Sequence, residues 1–305
     1  MLDARRHKPV STIAPRTAFV FAGGSSLGAI QVGMLKALLE QDQRPDLVVG
    51  SSVGAINAAY FAGEPTLAGV ARLEALWRGI RRADIFPSSP ISGLIGLFSR
   101  RGYMLESGGL ARLLERHFGA ARIEQSRLPC HIIATDMLEG SELRIDSGPV
   151  VIALLASAAI PGVFPCVRLN GRDVVDGGVA NHTPISAAVD LGATRLVVLP
   201  TGYSCALDAP PRGAIAAALH ALNILVSRQL VEAIRQYRAC VEIQVVPPLC
   251  PLGVSPYDFN SVATLIDRAY LSTQDWLRQG TTQIDGVPHQ LPPHRHRPAP
   301  AALSS

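Results

Sequence analysis

Between residues 17 and 62 the chain alternates twice between an apolar run too short for a helix and a segment with helical spacing, and that alternation leaves few folds open. Residues 17–22 are apolar and partly β-branched or aromatic, as in a strand buried on both faces. A small-residue turn, residues 23–28, follows. Residues 29–41 then carry Ile30, Gly33, Met34, Ala37 and Leu38 at helical spacing, and Pro45 ends the repeat. Residues 46–50 form a second short strand and residues 53–62 a tightly packed helix of small residues. Strand, helix, strand, helix is the signature of an α/β fold built on a parallel sheet.

The second strand runs directly into Gly50-Ser51-Ser52-Val53-Gly54, a G-x-S-x-G sequence that opens the second helix. A nucleophile elbow needs that context: a sharp strand-to-helix turn lifts the serine above the sheet, and the glycines leave room for strained backbone and for substrate. The helix N-terminus behind Ser52 favours developing negative charge. Ser52 is therefore the candidate nucleophile. G-x-S-x-G also arises by chance in small-residue loops, so the flanking strand and helix carry the weight.

Two further glycine-rich stretches stand out. Gly23-Gly24-Ser25-Ser26-Leu27-Gly28 joins the first strand to the first helix, where backbone N–H groups can hold an oxyanion. A dinucleotide-binding turn fits less well: G-x-G-x-x-G needs glycine where Ser25 stands, and no acidic residue ends the second strand to hold a ribose. No cofactor is expected. The other stretch, Asp176-Gly177-Gly178, taken alone reads as a turn.

In order and context these three motifs resemble the patatin-like phospholipases. The connecting sequence agrees: Gly33-Met34-Leu35 after the first loop, Gly54-Ala55-Ile56-Asn57-Ala58 after the elbow, and Thr135-Asp136 at the end of a middle strand. Ala156-Ser157-Ala158-Ala159-Ile160-Pro161-Gly162-Val163-Phe164-Pro165 and the run from Asp176 to Pro184 match later blocks. The resemblance covers roughly residues 17–201. It implies a three-layer α/β/α fold with a mostly parallel central sheet, and a Ser–Asp dyad of Ser52 and Asp176. It also implies an oxyanion hole from the amides around Gly24, Ser25 and Ser26, framed by the motif glycines Gly23, Gly28, Gly50, Gly54, Gly177 and Gly178. The family loop usually has a third glycine and a basic residue before its last glycine; Ser25 and Leu27 occupy those positions here.

The expected function is lipid acyl hydrolysis, as by a phospholipase A or related lipase or esterase, on a lipid or acyl-ester substrate. Acyl transfer by the same dyad and a catalytically weak lipid-binding or regulatory protein are the alternatives. A Ser–acid–His triad fits less well. The elbow of such hydrolases follows several strands rather than the second, and His182 lies only six residues past Asp176.

Composition narrows the rest. Of 305 residues 48% are hydrophobic, ample for one large core, and the formal net charge is +4. Part of that excess sits at the ends, in Arg5, Arg6, His7 and Lys8 and in His294, Arg295, His296 and Arg297, so the nearly neutral body argues against nucleic-acid binding. The basic ends leave a peripheral contact with an anionic membrane open. No run reaches the ~18 apolar residues of a membrane span, and no secretory signal is read, so a cytoplasmic location is expected. Cys130, Cys166, Cys205, Cys240 and Cys250 show no CxxC pairing, so reduced buried thiols and no metal are expected.

Further helices are expected over residues 67–80, 109–118, 150–157, 185–191, 214–239 and 259–279, and strands at 130–135, 174–175, 196–200 and 241–246. Residues 1–16 read as a loose arm, 17–285 as one domain, and 286–305 as a Pro- and His-rich disordered tail. The apolar run Ile91, Leu94, Ile95, Leu97 and Phe98 reads equally as a lid or as a core-covering loop.

Overall fold

The computed structural model describes residues 16–86, 103–207, 209–211, 213–279, 287–292, 294 and 296. The expected lid at 91–98 and residues 1–15 of the expected arm (1–16) lie outside the described residues.

The alternation seen at the start of the sequence is realised. β1 (Thr17–Phe21) leads through a 3-10 turn (Ser25–Gly28) into α1 (Ala29–Glu40), then β2 (Leu47–Ser51), α2 (Val53–Gly63), α3 (Leu67–Gly79) and the one-turn α4 (Arg82–Ile85). α5 (Gly108–Phe118), β3 (Cys130–Asp136), β4 (Glu142–Ile145), α6 (Val150–Ser157), β5 (Val167–Leu169) and β6 (Arg172–Asp176) follow. The short α7 (Gly178–Asn181) and α8 (Ile185–Asp190) precede β7 (Arg195–Leu199), α9 (Ala214–Tyr237), β8 (Glu242–Val245) and α10 (Val262–Gln279).

The sheet runs β5-β6-β3-β2-β1-β7-β8, with β4 also on β3. From β3 to β8 every pairing is parallel, as expected. β4 and β6 pair antiparallel with β3, and β5 with β6, which makes the whole sheet mixed.

Period-two alternation in the strands builds the layers. Phe19, Phe21, Val48, Ile132, Val197 and Leu199 point into a core shared with α1, α2 and α10. Ala18, Val20, Leu47, Val49, Ile133, Leu196 and Val198 point into a second core under α8 and α9. Helices thus cover both faces, and the strands read as continuous apolar runs for that reason. α1 is buried at ten of its twelve residues because it lies between the sheet and α10. Gly33 permits this crossing: a Cβ there would collide with the backbone of Ile266 and Tyr270. α10 is amphipathic, burying Val262, Leu265, Ile266, Ala269 and Thr273.

The segment read as a disordered tail departs from that expectation where it is described. Leu291 is buried in the second core and Val287 packs against it. Of the cysteines, Cys130 alone is buried; Cys166 and Cys240 are exposed and Cys205 and Cys250 half-buried, none in a disulfide.

A buried polar network ties the helices to the carboxyl end of the sheet. Gln31 donates from Nε2 to the carbonyls of Ala22 (2.8 Å), just past β1, and Leu199 (2.9 Å), the last residue of β7. Asn57 donates from Nδ2 to Gln31 Oε1 (2.8 Å) and Gly28 O (2.9 Å), and its Oδ1 accepts from Trp77 Nε1 (2.9 Å). Both amides are fully buried. Asn57→Ala strands three buried groups whose loss costs about 1–3 kcal/mol each before relaxation. Urea denaturation should show that variant destabilised by about 3 kcal/mol or more; a loss below about 1 kcal/mol would contradict this role.

Candidate active site

Ser52 sits where β2 ends and α2 begins, with φ 54° and ψ −128°. A side chain rarely adopts this backbone, which costs roughly 1–3 kcal/mol and persists only where the surroundings over-determine it. They do so here. A Cβ on Gly50 would meet the backbone of Gly54 and Ala55, and one on Gly54 the carbonyls of Phe21 and Ala22, so strand and helix approach as closely as glycine allows. The Ser52 N–H donates to Ser157 Oγ (2.8 Å), which in turn donates to Ile133 O (2.5 Å).

Strand register places Asp176. Ser51 pairs with Ile133 on one side of β3, and Ala134 pairs with Asp176 on the other. Ser52 is one residue beyond Ser51, hence level with Asp176 across β3, and the elbow turns its side chain over that strand. Ser52 Oγ donates to Asp176 Oδ2 at 2.6 Å. The other carboxylate oxygen accepts from Gly178 N (2.7 Å), and Thr135 Oγ1 donates to the Asp176 carbonyl (2.8 Å). Gly177 packs against Ile133 O and Ser51 Oγ, where a Cβ would not fit.

Burial pushes the Asp176 carboxyl up to about 6, with the Ser52 and Gly178 hydrogen bonds working against that rise. His182 lines the same cleft, but its ring bonds neither Ser52 nor Asp176, and burial pushes it down to about 4. At neutral pH it is an uncharged neighbour.

The glycine loop lies across the cleft from Asp176. Gly24 is at φ 147°, with no room for a Cβ beside Thr201, and Ser25 is at φ 52°, a left-handed conformation that favours glycine. Gly24 and Ser25 line the cleft with Ser52, and among the described residues no acceptor occupies their amides. Ser26 corrects the sequence expectation. Its N–H already donates to Pro256 O (3.0 Å), as does its Oγ (2.8 Å), so its amide is not free to face the cleft. The Gly23 N–H is likewise used, donating to His182 O (3.0 Å). Leu27 is fully buried, and Gly28 leaves space for Val53 and Trp77.

Ser52 stands between two hollows. One is the open cleft, lined also by Ile160, Pro161, Asn223, Val226 and Tyr257, with exposed Val179 and Leu222 at its edge. The other is an apolar recess lined by Ile56, Trp77, Phe86, Leu110, Phe164 and Phe259. Phe86 stacks on Phe164, ring centroids 5.6 Å apart. Sequence reasoning missed this recess because its walls come from α2, α3, α4, α5 and the segment before α10.

The hydroxyl on its strained turn, the desolvated carboxylate on it and the glycine loop across the cleft all lie within a segment of the chain that a family model matches. That model, described as patatin-like phospholipase, covers residues 19–189. The chain belongs to the patatin-like phospholipase family. An uncharacterized NTE family protein of Mycobacterium tuberculosis is 28% identical over 188 residues, 61% of this chain and 49% of that protein. Human patatin-like phospholipase domain-containing protein 6 is 27% identical over 207 residues, 65% of this chain and 14% of that protein. This patatin-like chain thus spans half or less of the length of these relatives. Among solved structures, VipD from Legionella pneumophila covers 88% of the chain and 67% of its own at 14% identity, with a TM-score of 0.42. No helix among the described residues is long and apolar enough to cross a membrane.

The raised Asp176 carboxyl has a consequence for stability. Its folded value of about 6 lies above the ordinary 3.8, so the folded state holds this proton more tightly than the unfolded one. The resulting stabilisation is complete below about pH 4 and is lost as the pH rises through 6. Urea unfolding of wild type and Asp176→Asn from pH 4 to pH 8 should show the wild type losing stability relative to the variant across that window. Parallel curves would contradict the raised value.

Proposed function

We propose that this chain is a serine-dependent lipid acyl hydrolase in which Ser52 is the nucleophile and Asp176 its base. The observation that carries the reading is the 2.6 Å hydrogen bond from Ser52 Oγ to a buried carboxylate. Serine oxygen is a weak nucleophile until a neighbouring base takes its proton. A carboxylate titrating near 6 is ionised at neutral pH yet basic enough to accept that proton in the transition state. Ser52 attacks the ester carbonyl while Asp176 accepts the hydroxyl proton. The tetrahedral oxyanion is held by the amides of Gly24 and Ser25, Ser26 being committed to Pro256. Asp176 returns the proton to the leaving alcohol, and water then hydrolyses the acyl-enzyme with Asp176 again as base.

The apolar recess supports an acyl ester as substrate class. Ser52 lines both hollows, so a carbonyl held at Ser52 can place its hydrocarbon chain among Ile56, Phe86, Leu110 and Phe164 and its polar alcohol portion in the open cleft. The family match to patatin-like phospholipases points to the same class.

Steady-state hydrolysis of a chromogenic acyl ester tests the dyad. Wild-type kcat/KM should rise with pH through an apparent pKa near 6, because the ionised carboxylate is the active form. Ser52→Ala and Asp176→Asn should lose about 10²–10⁴-fold or more in rate while remaining folded. His182→Ala should keep substantial activity. An active Asp176→Asn beside a dead, folded His182→Ala would replace the dyad with a His-based mechanism. The recess has its own test. Ile56→Trp, which fills it, should lower kcat/KM for a long-chain ester at least tenfold while changing that for an acetyl ester by less than about threefold. Equal losses on both esters would place the acyl chain elsewhere.

A further inference from the structure

Away from the Ser52 cleft, four ligand-type side chains from distant parts of the sequence converge on one point. Cys205 lies in the loop that leaves β7, Cys250 in the loop that leaves β8, and His294 and His296 in the C-terminal segment. Cys250 Sγ is 3.2 Å from His294 Nε2 and 3.4 Å from His296 Nε2. Cys205 Sγ is 3.3 Å from His296 Nε2, and the two Nε2 atoms are 3.1 Å apart. All four ligand atoms lie within 4.8 Å of one another. A tetrahedral zinc ion with bonds of about 2.0–2.3 Å sets its ligand atoms about 3.3–3.8 Å apart, close to the separations of those four pairs, and the atoms within 4.8 Å need draw in by no more than about 1.5 Å to complete the set.

The surroundings carry the features a metal centre needs. His294 Nδ1 is 2.8 Å from Pro292 O and 3.2 Å from the Tyr203 hydroxyl. A proton on Nδ1 donated to the Pro292 carbonyl leaves the lone pair on Nε2, the nitrogen that faces the cluster. The Leu252 N–H donates to Cys205 Sγ at 3.4 Å, the partner a thiolate needs more than a thiol does. Two sulfurs and two Nε2 nitrogens left to themselves make a poor hydrogen-bonding set. The two facing imidazole nitrogens share at most one proton unless one ring is charged, and thiols are weak donors.

We infer that Cys205, Cys250, His294 and His296 form a structural Cys₂His₂ site for a zinc-type divalent cation. Two soft thiolates and two imidazoles in a closed four-ligand set select zinc over the hard cations magnesium and calcium and leave no position for catalysis. Binding the ion releases the two thiol protons to solvent. The site clamps the C-terminal segment onto two loops already joined by Ser204 Oγ–Val254 O (2.6 Å) and Ala206 N–Leu252 O (3.0 Å). Those loops hold the glycine loop: Thr201 Oγ1 donates to Gly23 O (2.6 Å), and Pro256 O receives both Ser26 bonds. The metal therefore stabilises the fold and stiffens the wall opposite Asp176.

Cobalt substitution of the full-length chain, purified under reducing conditions and stripped with a chelator, tests this independently of any ester assay. Titration should take up one Co²⁺ per chain, with the near-ultraviolet thiolate-to-cobalt charge-transfer band and the intense visible bands of a tetrahedral ion. An equivalent of Zn²⁺ should bleach both and raise Tm above that of the stripped protein. Cys250→Ser and His294→Ala should lose the charge-transfer spectrum or the stoichiometric uptake, while Cys240→Ser, changed at an exposed cysteine elsewhere, keeps both. Should the ligand variants fail to fold, the wild-type titration decides alone. The proposal is overturned by substoichiometric uptake, by a weak octahedral spectrum without charge transfer, by a folded Cys250→Ser that retains the wild-type spectrum, or by a Cys205–Cys250 disulfide in the reduced preparation.

Discussion

The arrangement around Ser52 depends on how closely α2 can lie against the ends of β1 and β2. Two glycines set that distance: Gly54 faces the carbonyls of Phe21 and Ala22, and Gly50 faces the backbone of Gly54 and Ala55. With both elements so close, the chain between them has one way to turn, and Ser52 is carried into a left-handed backbone that an isolated serine would avoid. The network of Gln31, Asn57 and Trp77 keeps α1, α2 and α3 in place behind it, and Ser157 ties the Ser52 amide to β3. The strain is therefore held by core packing rather than by the cleft, and the hydroxyl is oriented before any substrate arrives.

Asp176 reaches that hydroxyl by a different route. A parallel sheet gathers the carboxyl ends of its strands on one edge, which accounts for the elbow and the glycine loop but not for a carboxylate on an antiparallel strand. β6 supplies it because its register on β3 sets Asp176 opposite Ala134, one step past the point where Ser51 meets Ile133. The position is deep enough to be desolvated, and desolvation raises the basicity of the carboxylate, as the proposed role of Asp176 requires. An imidazole would be a stronger base than an ordinary carboxylate. Burial removes much of that advantage for Asp176 and, acting on His182 in the opposite sense, keeps the nearby ring neutral.

What could be read from the sequence follows from where the signal lies. β1, β2, β3 and β7 were legible because strands buried on both faces are written as local apolar runs, and most helices because their repeats are local too. β4 (Glu142–Ile145) and β5 (Val167–Leu169) were missed because they are short edge elements, largely half-exposed, with no such run. The elbow was legible because strand, glycines, serine and helix are contiguous. Asp176 as its partner rested on a family resemblance, since the register of an antiparallel strand 124 residues away leaves no local trace. The Ser26 amide was misjudged for the same reason: its acceptor, Pro256, lies 230 residues along the chain. The cysteines and histidines escaped notice because a spacing rule looks for ligands close in sequence, whereas the sheet brings these together through two neighbouring strand ends.

The departures in the glycine loop, Ser25 and Leu27, take their meaning from that long-range anchoring. A cation at position 27 would have to enter a fully buried site in the core, which costs several kcal/mol without a partner, and leucine there contributes packing instead. Serine at φ 52° is strained where glycine would not be, so the loop needs restraint from outside itself. Ser26 provides it with two hydrogen bonds to Pro256, and Thr201 provides a third through Gly23. Both anchors lie beyond residue 189, where the family match ends. The block that carries the recognisable motifs is thus not sufficient for its own cleft. The loops after β7 and β8, which close one wall of it, are tied to α10 by Arg268 Nη2 donating to Pro251 O and to the C-terminal segment through His294 and His296, and a chain cut after the matched block would lose them together with β7, the strand that pairs with β1.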